Sequence, residues 1–195
     1  ERKIGSVYLP WERWLMSRKA CKAVFPRDNL TTEILQKYSV PAYDMGNPMM
    51  DGITANYQSV KLEQLNVLLL PGSRMPEALR NWQQIITSLS AIVKTFPPEK
   101  LQFLGAIAPA LNLMAFIEEA DAQGWEMITA KSQATTLSKD NISLILSQNS
   151  YQKFLQQSNI AIAMAGTATE QFVGLGKPAV IMPGTGPQFT YAFAE

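Results

Sequence analysis

The 195-residue chain is 47% hydrophobic and 17% charged. That is enough apolar material for a real core and, at about 150 residues per domain, it suggests roughly one domain and part of a second. Seventeen basic against sixteen acidic residues leave a net charge of +1, which gives no electrostatic footprint for nucleic acid. With no histidine and one cysteine, Cys21, the composition excludes the usual zinc sites, histidine general bases, Ser-His-Asp triads and an internal disulfide.

The start, Glu1-Arg2-Lys3, is charged and no apolar stretch of signal-peptide type follows it, and no apolar run reaches membrane-span length. With a lone thiol, this favours a cytoplasmic location. The chain lacks an initiator methionine, and residues 189–195 read as a helix opening without a stop signal, so a fragment of a longer protein is expected. Trp11, Trp14, Leu15 and Met16 stand at helical spacing. That pattern reads first as core, with a membrane surface or a missing domain as the other reading.

Residues 22–25 and 40–45 predict two short strands, with a helix over 30–38 started by Asp28 or Asn29, together a βαβ-like unit. Residues 46–64 carry turn residues and no clear period, so they predict a linker with a domain boundary inside 51–62. From residue 66 onward, short apolar runs alternate with segments of helical period, which predicts an α/β domain built on a parallel sheet. The runs are 66–70, 101–107, 126–129, 142–146, 159–164 and 178–182. After the first run, Leu79, Trp82, Ile85, Ile86, Leu89, Ile92, Val93 and Phe96 form one apolar stripe that Pro97-Pro98 stops. A second helix is predicted over 110–123, ending at Gly124.

Ligands of open parallel sheets lie beyond the carboxyl ends of the strands, so the loops there are the candidate site. The first is Pro71-Gly72-Ser73-Arg74-Met75-Pro76-Glu77. Gly72 permits close backbone approach, Ser73 can cap the following helix, and Arg74 supplies a planar cationic fork suited to phosphate. The second is Ala165-Gly166-Thr167-Ala168-Thr169-Glu170-Gln171, where a helix start offers backbone N–H groups to an anion and Glu170 or Gln171 could meet sugar hydroxyls one turn deeper. The third, Pro183-Gly184-Thr185-Gly186-Pro187-Gln188, is a turn in which Gln188 suits a polyol. Each also has a bland reading, as a capped turn or an ordinary helix start. No dinucleotide fingerprint, P-loop or Asp-x-Asp pair is present, which leaves a metal-free, cofactor-free diphosphate site.

Leu69-Leu70-Pro71-Gly72-Ser73-Arg74 with Glu77, Gly166-Thr167-Ala168-Thr169, Gly176-Lys177-Pro178 and Gly46-Asn47-Pro48-Met49-Met50-Asp51 resemble, in this order, the lipid-A-disaccharide synthase-related proteins. The resemblance implies a Rossmann-like parallel sheet, the C-terminal domain of a GT-B glycosyltransferase over residues 62–195, preceded by the end of the acceptor domain and a linker over residues 1–61. It implies an inverting, metal-independent enzyme that uses a UDP-linked acylated glucosamine and a lipid-linked sugar acceptor, peripheral to the inner membrane surface. Arg74 would then be the functional arginine, Gly72 and Ser73 its loop, Gly166, Thr167 and Thr169 the diphosphate site, and Gln188 a donor-sugar contact. The family's ribose-reading glutamate falls on Gln171 without gaps, and its preceding leucine on Glu170. The catalytic base would belong to the missing N-terminal domain, so this chain alone would not turn over. The alternatives are an enzyme like UDP-N-acetylglucosamine 2-epimerase, against which the histidine-free loops speak, and a non-catalytic UDP-sugar-binding relative, which the Glu170-Gln171 register favours.

Overall fold

A computed structural model describes residues 7–53, 64–131 and 134–184. The chain divides into two compact units, Glu1–Gly52 and Ile53–Glu195.

In the first unit, α1 (Pro10–Met16) begins with proline at its first position, and the Leu9 N–H donates to the Glu12 carboxylate at 2.6 Å. The second helix, α2 (Asn29–Gln36), is capped by Asp28, whose Oδ1 accepts from the Thr31 N–H at 2.7 Å. The two strands predicted around it reduce to one parallel bridge, Val24 to Ala42. Pro26 and Pro41 stand within and beside these segments, and a residue without an N–H cannot extend a ladder. The buried cluster is small: Leu35, Val40 and Ala42, with Tyr8, Met16 and Val24 packed on it. Helix α1 therefore contributes Met16 to the core, and Arg13, which is buried with its guanidinium 3.8 Å from the Tyr38 ring centre. Trp11, Trp14 and Leu15 are more than half exposed, contrary to their reading as core.

The second unit is a seven-stranded sheet with helices on both faces. Its elements are β1 (Leu65–Leu70), α3 (Glu77–Thr95), β2 (Leu101–Ala106), α4 (Leu113–Ala122), β3 (Glu126–Lys131), β4 (Ala134–Lys139), β5 (Ile142–Ser147), α5 (Tyr151–Gln157), β6 (Ile160–Ala163), α6 (Thr167–Gly174) and β7 (Ala179–Ile181). The strand order is β3-β4-β5-β2-β1-β6-β7. Strand β1 pairs in parallel with β2 and β6, β2 with β5, and β6 with β7. The α/β class with a mostly parallel sheet is thus as the alternating pattern predicts.

Strand β1 shows why its sequence is a nearly unbroken apolar run. Val67 and Leu69 enter the core beneath α3 and α4, while Leu68 and Leu70 enter the core of the opposite face with residues of α5 and α6. The predicted α3 stripe is buried at Trp82, Ile85, Ile86 and Leu89. Trp82 Nε1 donates to the Phe116 carbonyl at 2.9 Å, and the two rings lie 5.9 Å apart, which ties α3 to α4. Gly105 makes room for this indole: a Cβ there would stand 3.2 Å from Trp82 Cη2 and would collide with Leu146 Cδ2.

Three details depart from the sequence expectations. Helix α4 starts at Leu113 rather than 110, because Asn112 Oδ1 accepts from the Met114 N–H and fixes the start. Run 126–129 belongs to an antiparallel hairpin, β3 with β4 and β4 with β5, in place of a parallel strand. Strand β4 itself was not predicted, although Thr135 and Leu137 alternate inward along it. The β4–β5 turn runs through Asp140 and Asn141 at φ 51° and 64°, the left-handed pair that tight hairpins favour.

Candidate functional site

The chain passes from β1 to β2 on one side of the sheet and returns later to β6 on the other side of β1. The carboxyl ends of β1 and β6 therefore diverge, and a crevice opens between their loops. A cavity of about 570 Å³ lies there, walled by Leu70–Arg74 and Met164–Ala168, with Ala106–Pro109 after β2, Gln148 after β5 and Gly184 after β7. This is within the range of small-molecule sites.

The loop after β1 is held from below. Asn81, buried on α3, donates from Nδ2 to the Pro71 carbonyl at 2.9 Å, and Gly72 takes φ 112°, a left-handed value that side chains resist. The Ala78 N–H donates to the Arg74 carbonyl at 2.8 Å. Ser73 does not cap α3: the helix begins at Glu77 after Pro76, with no side-chain cap. Three residues intervene, which puts the serine hydroxyl too far upstream for the first-turn amides. Arg74 is exposed at the cavity. Glu77, on the same wall, lies 3.7 Å from Arg80, and among the described residues Arg74 has no ion-pair partner.

The loop after β6 turns into α6 at Gly166, whose carbonyl accepts from the Thr169 and Glu170 N–H groups. The amides ahead of these are the ones a helix start leaves to other acceptors. Gly166, Thr167, Ala168 and Gln171 line the cavity. Thr169 is buried and its hydroxyl donates to the Ala165 carbonyl, so that hydroxyl is used in tying the helix start to the loop before it. Glu170 is exposed and outside the cavity wall. Thr169 and Phe172 face the core, and this helical phase turns Gln171 to the cavity in place of its acidic neighbour. Gln188 lies outside the described residues.

Two wall residues escaped the sequence reading. Gln148 Nε2 donates to the carbonyls of Leu111 at 2.8 Å and Ala108 at 3.1 Å, joining the loops after β5 and β2. Tyr151, at the start of α5, donates from Oη to Gln171 Oε1 at 2.6 Å, and burial pushes its hydroxyl up to about 12. Neither stands in a glycine-marked loop; their only signal was position just after a strand. Among the described residues, Arg74, Glu77 and Tyr151 are the titratable groups of the wall. Among the described residues no cluster of His, Cys, Asp or Glu could hold a metal, and no helix is long and apolar enough to cross a membrane.

Lys177, part of the Gly176-Lys177-Pro178 string, is a structural residue. Its Nζ donates to the carbonyls of Leu155, Gln156 and Ser158 at 2.7, 2.7 and 2.8 Å, closing the carboxyl end of α5. Burial lowers its pKa.

No family model matches the chain, and no curated protein matches it in sequence. Solved structures do share its fold. One, from Listeria monocytogenes and assigned as a UDP-N-acetylglucosamine 2-epimerase, is 18% identical, with a TM-score of 0.55 over 85% of this chain and 43% of the other. Another, S. aureus MnaA in a co-structure with UDP, is 15% identical, with a TM-score of 0.53 over 87% of this chain and 49% of the other. The chain thus spans less than half the length of these neighbours. The likeness to lipid-A-disaccharide synthase is corrected by these findings: the neighbours are of the epimerase kind and no sequence family supports the synthase. The strings that suggested it answer demands of the fold, since Gly72 and Gly166 turn the chain at the switch point and Lys177 closes a helix.

Proposed function

We propose that this chain is the UDP-sugar-binding part of an enzyme of the UDP-N-acetylglucosamine 2-epimerase kind. The observation that carries the reading is the cavity at the β1/β6 divergence, where the Gly166–Thr167 helix start faces the Gly72-Ser73-Arg74 loop. A diphosphate there would take hydrogen bonds from first-turn amides and a paired contact from the Arg74 guanidinium, with no metal required. The folds it resembles include a protein solved with UDP. A reaction that breaks the bond between sugar and diphosphate gathers negative charge on the departing UDP, and the same amides and Arg74 would stabilise it.

A second reading, a UDP-sugar-binding relative without catalysis, is favoured by the wall's chemistry. Among the described residues its titratable groups are one arginine, one glutamate 3.7 Å from Arg80 and one tyrosine held protonated, a set with a single carboxylate and no acid–base pair. Residues outside this set would have to supply the second group for turnover.

The test is a thermal-shift and calorimetric titration with UDP. Wild-type chain should be stabilised by UDP, and Arg74→Ala should keep the melting temperature of the free protein while losing most of that stabilisation. Equal protection of both forms would remove Arg74 from the site, and no protection of either would remove the nucleotide. Product analysis with UDP-N-acetylglucosamine on a chain that includes the rest of the enzyme separates the epimerase from the non-catalytic binder.

A further inference from the structure

Asn81 on α3 is only 8% exposed and lines the cavity. A carbonyl can only accept, so the branch of its carboxamide that meets the Pro71 carbonyl at 2.9 Å is the nitrogen, and the oxygen is the branch left over. That oxygen has no donor among the described residues. It is also not one of their sealed unpaired side-chain atoms, which belong to Arg13 and Asn66, so its access to solvent is through the cavity. Glu77 stands four residues earlier and lines the same cavity. Residues at that spacing are neighbours on one helix face. Helix α3 therefore presents two acceptors to the cavity, a carboxylate and an amide oxygen, about one turn apart.

The polarity of this face is opposite to that of the rest of the site. Arg74 and the amides at the α6 start offer donors, which suit phosphate oxygens. A phosphate oxygen against Glu77 or Asn81 would set acceptor against acceptor, which is costly in a recess of low dielectric. The group that belongs there brings O–H or N–H donors and no negative charge, as a sugar ring does. We infer that Glu77 and Asn81 are specificity-determining residues that accept hydrogen bonds from the hydroxyl or amide groups of the sugar carried on a bound nucleoside diphosphate. The inference rests on the UDP-sugar reading above. It gives the cavity a preference for the sugar-bearing nucleotide over free UDP, because a buried acceptor left without a donor penalises the ligand that lacks one.

The experiment measures the affinities of UDP and UDP-N-acetylglucosamine by calorimetry for the full 195-residue chain, for Glu77→Ala and for Asn81→Leu. Wild type should prefer the sugar nucleotide, and each change should reduce that preference about five- to tenfold, the scale of one well-placed hydrogen bond. The preference is a ratio. Any loosening of the Gly72 loop by Asn81→Leu is felt by UDP as well and cancels from it, so a purely structural role would leave the ratio unmoved. Wild type that binds the two ligands equally, or a ratio unchanged in either variant, would overturn the acceptor pair and leave the nucleotide reading intact. Glu77→Ala keeps the bond from Asn81 to Pro71, so it decides alone if Asn81→Leu does not fold. Failure of wild type to bind either ligand would overturn the nucleotide reading and this inference with it, and that outcome is visible without any variant.

Discussion

Asn81 reaches back past the start of its own helix, and its Nδ2 donates to the Pro71 carbonyl at 2.9 Å in the protein interior. The contact couples the first full turns of α3 to the loop that carries Gly72 and Arg74. Replacing Asn81 by leucine keeps the volume and leaves the Pro71 carbonyl buried without its donor, at a cost of about 1–3 kcal/mol. Urea unfolding of Asn81→Leu should show this loss, and residual UDP affinity should fall with it. Unchanged stability would mean that water enters and takes the place of the amide.

Gly105 on β2 is enclosed by Trp82 and Leu146. An added methyl there overfills a packed core, which costs about 1–3 kcal/mol. Gly105→Ala should therefore lower the urea midpoint at constant slope. A variant as stable as wild type would show that the indole has space to withdraw.

Lys177 lies away from the cavity wall and serves the end of α5. Lys177→Met should cost about 1–2 kcal/mol, the scale of charge-assisted hydrogen bonds at a partly exposed site, and should leave UDP binding unchanged at temperatures where the variant is folded. A selective loss of UDP affinity would move Lys177 from the scaffold to the site.

Tyr151 gives a pH dependence. Its folded pKa, about 12, lies above the value of about 10 of an unfolded chain. Below about pH 10 the phenol is neutral in both states and its contribution to stability is fully present; as pH rises toward 12 the unfolded chain ionises first and that contribution is lost. Urea midpoints followed into this alkaline window should fall more steeply for wild type than for Tyr151→Phe. Parallel slopes would show that the phenol titrates like an exposed one.

The fold was legible where burial imposes a period. Trp82, Ile85, Ile86 and Leu89 announce α3, and the two-sided burial of Val67–Leu70 announces β1. Strand β4 was hidden because Thr135, Thr136 and Ser138 serve a partly solvated hairpin at the sheet's end, and α5 because it buries only Phe154 and Leu155. At the site, the glycine-marked loops could be found from their place after strands. The choice between Glu170 and Gln171 could not, since it depends on helical phase, which the buried Thr169 and Phe172 set. Tyr151 was out of reach for a related reason: its partner is twenty residues away in sequence and belongs to another helix.

The pairing of β1 with β6 also bears on how the molecule assembles. Asn66 at the base of β1 bonds to Asn159, 93 positions further along the chain, whereas β3, β4 and β5 are sequential neighbours. Contacts so distant carry the larger closure entropy and are the slower to form. The hairpin end of the sheet can therefore precede the crevice, whose two lips meet only when β6 docks. A ligand clasped between them would find no purchase on the early chain, so it would lengthen the lifetime of the native state without hastening its formation.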